Sequence, residues 1–425
     1  MKSKIISVCV VILLFAGVFA DDCFAGSAGD GNILNRESLT GGLWGMSDKP
    51  TESGLDLQLS ATQIYQQNVR GGLSTHRRAG RFSGSYDIEL DADLEKLAGM
   101  ENSRIYMLTE GNWPKSPGIS DVAVGSNFGV NGDARNRIAM MVTELWYEHL
   151  FAEGSLIVRV GKMDLTGGFM HQNCPVAFDC SIYANDENTQ FLNDALINNP
   201  SIPFPDYGLG LSFRYSLSGD WYISGATADA QADIRETGFN TAFHKEDYFF
   251  YIFETGLTPV FESLNGLLQG AYRAGIWYDP RAKEKFSNGR TLRDDTGFYV
   301  SFDQQLYKEM SDAQDNQGLG FFGRYGWVDS KVSELTNFWS TGLQYEGLFE
   351  GRDDDVIALG FAQAYFSDNS NSFTEDYESV FEFYYKARIT PWFELSPDVQ
   401  CVINPGGDES TNDSLVLGLR ALVRF

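Results

Sequence analysis

The chain ends Leu415-Val416-Leu417-Gly418-Leu419-Arg420-Ala421-Leu422-Val423-Arg424-Phe425, apolar at every odd position and closed by an aromatic. The even set holds Arg420, Arg424 and Gly418. Successive side chains of a strand point to opposite faces, so one face here is wholly apolar and the other partly charged. Such a strand suits the wall of a barrel in lipid, where an open sheet edge cannot be hydrated. It would also serve as the last strand of a soluble sandwich, and the rest of the chain must decide.

Period-two segments of about ten residues recur from residue 54 onward, separated by Gly, Asp, Asn, Ser and Pro. They fall at 55–65, 80–93, 103–113, 138–151, 155–164, 207–217, 220–229, 246–257, 267–279, 296–307, 317–329, 338–349, 355–367, 378–390, 392–403 and 413–425. The count predicts an all-β fold, a 16-stranded antiparallel transmembrane β-barrel of porin type with short periplasmic turns and longer extracellular loops. A barrel of that size leaves an aqueous channel, whereas one of about eight strands is filled by side chains. In 80–93, Tyr86, Ile88 and Leu90 oppose Asp87, Glu89 and Asp91; in 378–390, Phe381 and Phe383 oppose Glu382 and Tyr384. A charge facing lipid at the midplane costs roughly 2–4 kcal/mol, so the polar sets are expected to face the lumen.

Composition weighs on the same side. Aromatics reach 14% of 425 residues, as the girdles at two water–lipid interfaces require. Lys2 and Lys4 ahead of the apolar run Ile5–Phe19 read as a secretory signal within residues 1–25, cut after Ala20 or Ala25. No later stretch approaches 18 uncharged apolar residues, so export without a spanning helix is expected. Residues 26–53 read as a periplasmic lead-in or short plug, and 54–425 as one barrel domain. The net charge of −26 argues against nucleic acid, whose phosphates need a basic surface, and disfavours anions in a pore.

The stretch 165–206 lacks periodicity and is long for a loop, which points to a role: either folding inward to narrow the channel or capping it from outside. It holds Cys174 and Cys180, placed to close a small disulfide loop in an oxidising compartment or to remain free thiols. Cys401 reads as an outward strand residue.

Parity assigns the lumen side chains. They include the carboxylates Asp87, Glu89, Glu144, Asp303, Glu382 and Asp398, the arginines Arg159, Arg273, Arg324, Arg388 and Arg420, and Trp146, Trp277 and Gln400. Sugars present hydroxyls that both donate and accept; arginine offers five donors and carboxylates accept. Trp146 and Trp277 offer flat faces for a pyranose ring. No catalytic constellation or cofactor motif is evident, and four scattered His residues have no metal-ligand spacing. Asp353-Asp354-Asp355 reads as a solvated turn before it reads as a calcium site.

A further set of short pieces runs in order along the chain. They begin with Gly42-Leu43-Trp44-Gly45, Arg159-Val160-Gly161-Lys162-Met163-Asp164 and Pro205-Asp206-Tyr207-Gly208-Leu209-Gly210. Tyr272-Arg273-Ala274-Gly275-Ile276-Trp277-Tyr278, Thr390-Pro391-Trp392, Pro397-Asp398-Val399-Gln400, Asn404-Pro405-Gly406 and the terminal Phe425 follow in order. In their order and spacing these pieces resemble the carbohydrate-selective porin family, the OprB-type sugar porins of Gram-negative outer membranes; Ser47 and Asp353 depart from that family's pattern, where a basic residue and a proline are usual. The resemblance implies passive, moderately selective diffusion of mono- and small oligosaccharides. Sugars, outer-membrane lipid and the barrel-assembly machinery reading the Phe425 strand are the expected partners, in a monomer or homotrimer. A porin for organic anions or general small solutes is the alternative; a barrel enzyme and a soluble secreted β-protein are further rivals.

Overall fold

The computed structural model describes residues 33–42, 54–113, 118–134, 140–167, 177–243, 247–311 and 316–425. The expected export signal at 1–25, Trp44 and Cys174 lie outside the described residues. The chain forms two units, Met1–Arg36 and Glu37–Phe425. Of the first, the described part is a single 3-10 turn, Ile33–Asn35.

The second unit is a closed sheet. Its first eight strands are β1 (Leu55–Gly72), β2 (Gly80–Asp93), β3 (Ser103–Asn112), β4 (Met141–Phe151), β5 (Leu156–Met163), β6 (Gly208–Ser216), β7 (Trp221–Asp229) and β8 (Phe249–Leu257). A short strand, β9 (Val260–Ser263), folds onto the foot of β10 (Gly266–Asp279), and β11 (Lys283–Glu284) pairs with β12 (Thr291–Leu292) in the following loop. The wall continues through β13 (Asp295–Lys308), β14 (Gly318–Val328), β15 (Leu335–Glu346), β16 (Val356–Phe366), β17 (Tyr377–Thr390), β18 (Phe393–Ile403) and β19 (Asn412–Arg424). Neighbouring wall strands are antiparallel. β1 pairs on one side with β2 (Ile64 opposite Ser83) and on the other with β19 (Ile64 opposite Arg420). Among the described residues closure leaves sixteen wall strands and no open edge of the wall, as the sixteen sequence segments predict.

The alternation that predicts the strands also orients them. Leu417, Phe381, Phe383 and Ile276 are exposed on the outside, while Val416, Arg420, Glu382 and Trp277 are buried inside. The exposed outer ring is apolar because lipid, not water, is its solvent. Trp327 stacks on Phe298 at 5.7 Å near one rim and Trp221 stands exposed near the other, where amphipathic rings meet the headgroups. Phe425 extends the ladder to the last residue by donating its N–H to Leu59 O at 2.9 Å.

The largest departures from the sequence boundaries are in β1 and β15. β1 runs on to Gly72 instead of ending near 65, and stops where Gly71 and Gly72 take φ of 62° and 60°. β15 lies earlier than 338–349, at Leu335–Glu346. The C-terminal end of β19 and tight turns such as Pro391-Trp392 gather at one end, and the strand ends that carry the long connections after β3, β5, β7 and β10 at the other. Long loops mark the extracellular side.

Candidate functional site: the barrel interior and its inward loops

Residues 177–207 of the long β5–β6 connection are held inside the barrel by wall side chains. Arg324 on β14 donates to Leu196 O at 2.6 Å, to Asp179 O at 3.2 Å and to Ala184 O. Glu382 on β17 accepts the N–H groups of Leu192 and Asn193 at 2.6 and 2.9 Å, and Gln400 on β18 accepts from Asn193 Nδ2 at 3.1 Å. Arg420 on β19 donates to Glu187 O and Gln190 O at 2.6 and 2.8 Å. Asp303 on β13 accepts from Ser181 Oγ, and Glu254 on β8 accepts from Asp179 N at 2.9 Å. A loop buried in a barrel must have its backbone groups satisfied, and wall side chains do this where no ladder can.

Packing follows. The one-turn helix Asp194–Ile197, capped by the Asn193 side chain, carries Leu196 and Ile197 into a cluster with Phe322, Phe338 and Tyr384. Phe191 meets Tyr384 edge-on at 5.1 Å. Gly360 on β16 is the wall position that admits them: a Cβ there would lie 2.8 Å from the Phe191 ring and 2.9 Å from Leu196. Burial, with Glu187 beside it, pushes the Asp186 carboxyl up to about 6 against the donors Thr189 and Asn188 N. Cys180 is fully buried and disulfide-bonded, and its expected partner Cys174 lies outside the described residues.

The opposite wall carries a charged and aromatic cluster. The Trp146 ring on β4 stacks on Tyr106 of β3 at 4.9 Å, with the Arg159 guanidinium of β5 4.0 Å from its centroid and Arg104 at 5.4 Å. Glu148 pairs with both Arg159 and Arg104, each at 2.8 Å, and Arg104 reaches Asp91 at 3.0 Å. Trp146 Nε1 donates to Glu144 at 3.1 Å, and Tyr106 OH donates to Glu89 at 2.8 Å. Asp87 accepts from Ser60 Oγ at 3.3 Å.

The remaining inward residues fall between these groups. Arg273 pairs with Asp303 at 2.9 Å, and Gln400 Nε2 donates to Asp398 at 3.2 Å. Arg388 lies half-buried at the periplasmic end, 3.1 Å from Asp354. Trp146 and Trp277 are 1% and 2% exposed, so the rings expected to face a pyranose are already covered: Trp146 by Arg159 and Tyr106, Trp277 by Phe250 at 6.3 Å. In the turn 353–355, Asp355 accepts from Arg352 at 2.6 and 2.7 Å, from Tyr385 OH and from Arg388 N at 2.9 Å.

A second inward segment, 118–134, escaped the sequence reading. Gln66 and Gln400 both donate to Val130 O, at 2.7 and 2.9 Å, and Asn68 donates to Ala123 O at 2.8 Å. Glu378 accepts from Asn127 N at 2.9 Å and Gly406 N at 2.7 Å. Gln66 and Asn68 lie beyond the residue at which the sequence segment was ended. Glu378 shares the parity of Glu382 in the same strand, and Glu148 that of Trp146; both were legible by extending the alternation.

Comparison with known proteins converges on one family. The model of the family described as "Carbohydrate-selective porin, OprB family" matches residues 77–425. Porin B of Pseudomonas aeruginosa is 22% identical over 432 residues, covering 92% of each chain. The putative porin QuiX of Acinetobacter baylyi is 21% identical and covers 92% of this chain and 94% of that protein. The high-pH structure of Pseudomonas putida OprB has the same fold, with a TM-score of 0.78 at 19% identity, over 93% of this chain and all of that one. With a closed sixteen-stranded wall and a family match across most of its length, the chain belongs to the OprB family of carbohydrate-selective porins.

Proposed function

We propose that this outer-membrane sugar porin passes mono- and small oligosaccharides between its inward loop and the wall formed by β1 to β6. The observation that carries the route is the uneven filling of the interior. Loop residues 177–207 are bonded to β8, β13, β14 and β17 to β19, whereas towards the periplasmic ends of β1 to β3 the inward Gln58, Asp91 and Arg104 keep contact with solvent. On that side Gln58 is exposed, and the side chains of Asp91 and Arg104 remain 20% and 35% exposed.

Paired charges support a neutral, hydroxylated permeant. Arg159, Arg273, Arg324 and Arg420 already bind carboxylates or backbone carbonyls, so they offer weak auxiliary donors in place of a free cationic track for anions. Weak binding is what conduction requires. The hydrogen-bonded Phe425 end of β19 is the element we assign to recognition by the assembly machinery, and residues 1–25 to export.

A liposome-swelling series with glucose, xylose, maltose and an organic anion of similar size tests the reading. Sugars should swell the vesicles fastest, with maltose slower than glucose. Equal or faster entry of the anion would favour an organic-anion porin and overturn the sugar route.

A further inference from the structure

The geometry points to a docking site for a phosphorylated glycolipid of the outer leaflet on the outer wall of the barrel: an acyl-chain groove beneath a cationic loop. The inference rests on the membrane orientation and not on the sugar route. The groove, a cleft of about 660 Å³, crosses β6, β7, β8, β10, β13 and β14 in their extracellular halves. That volume lies within the roughly 300–1,000 Å³ typical of ligand sites. Leu211, Tyr251, Ile276, Phe298 and Trp327 line it and stay 38–62% exposed. Gly225 forms part of its floor, where a Cβ would stand 2.7 Å from the Phe213 ring.

What lies above the groove selects the occupant. Its lining reaches Tyr278, Thr296 and Trp327, at the strand ends that carry loops 280–294 and 329–334. In a chain of net charge −26, residues 280–294 alone hold Arg281, Lys283, Lys285, Arg290 and Arg293. Arg281 and Lys283 are spent on Asp279 and Asp295. Lys285, Arg290 and Arg293 have no carboxylate partner among the described residues, and Arg290 and Arg293 are exposed. Phe286 N donates to Lys331 O at 3.1 Å, which brings the exposed Lys331, paired at 3.4 Å with the surface carboxylate of Asp329, to the same rim beside the unspent three. Unspent guanidinium and ammonium groups over an apolar cleft complement a phosphate headgroup with its acyl chains below.

The test is native mass spectrometry of the full barrel in phosphatidylcholine nanodiscs titrated with bis-phosphorylated hexa-acyl lipid A. One adduct per barrel is expected. The exposed-loop variant Arg290→Ala/Arg293→Ala/Lys331→Ala should weaken it at least tenfold while glucose-driven swelling is unchanged. Ile276→Ser, in the groove, should weaken it independently. Fully dephosphorylated lipid A should bind wild type no better than lipid A binds the triple variant. Equal affinity of triple variant and wild type, equal affinity for the dephosphorylated lipid, or barrel dimers or trimers in place of the adduct would overturn the proposal.

Discussion

The guanidinium of Arg420 reaches the carbonyls of Glu187 and Gln190, at 2.6 and 2.8 Å, across 233 and 230 positions of sequence. One arginine on the last strand therefore pins the tip of a loop that leaves the barrel between β5 and β6. Charge-assisted hydrogen bonds in a buried setting contribute roughly 1.5–3 kcal/mol each.

Arg420→Ala should free the 187–190 tip while the sixteen-strand ladder stays intact. Limited proteolysis should cut the variant within 177–207 at least tenfold faster than wild type, and single-channel recordings should become noisier. Unchanged cleavage and unchanged noise would show that the other anchors suffice.

Arg324 and Arg273 are both inward, yet they do different things, and the variants should separate them. Arg324 binds three loop carbonyls, so Arg324→Ala should alter conductance and loop cleavage in the manner of Arg420→Ala. Arg273 binds Asp303, so Arg273→Ala should leave loop cleavage within about twofold of wild type. Identical cleavage profiles for the two would refute the division.

Arg159→Lys tests the Trp146 cluster. Lysine keeps the charge but loses the fork that grips Glu148 and the plane that lies 4.0 Å from the Trp146 centroid. The variant should shift tryptophan emission and lower the melting temperature, with a loss of about 1–3 kcal/mol. An unaltered emission spectrum would mean that the contact is dispensable.

Asp355 gives a pH signature at the periplasmic turn. Burial raises its pKa, but Arg352, Tyr385 and the Arg388 N–H outweigh burial and hold the carboxyl below the ordinary aspartate value. A depressed folded pKa means that the stabilisation is complete above the unfolded value of about 3.9 and disappears as pH falls through the folded one. Asp355→Asn should therefore lower thermal stability at pH 7 and match wild type once the wild-type carboxyl is protonated. A gap that persists in strong acid would place the effect elsewhere.

The wall was legible because its signal is local. Parity in 80–93 put Asp87 and Glu89 inside, and the odd residues of the final strand outside, without knowledge of any partner strand. Loop 118–134 was illegible for the opposite reason: Glu378 and Gln400 hold it from 251 and 270 positions away. Cutting β1 short at 65 also hid Gln66 and Asn68, which bind the same segment.

Sequence alone determined a closed wall of sixteen strands, its inside and outside, and the absence of an edge, since period-two alternation and lipid solvation act on each segment separately. Tertiary structure decided what the inward residues do. Arg324, Glu382 and Arg420 look like any lumen wall in sequence, yet their bonds are spent on a loop, because satisfying buried backbone groups depends on which distant segment folds into the bore.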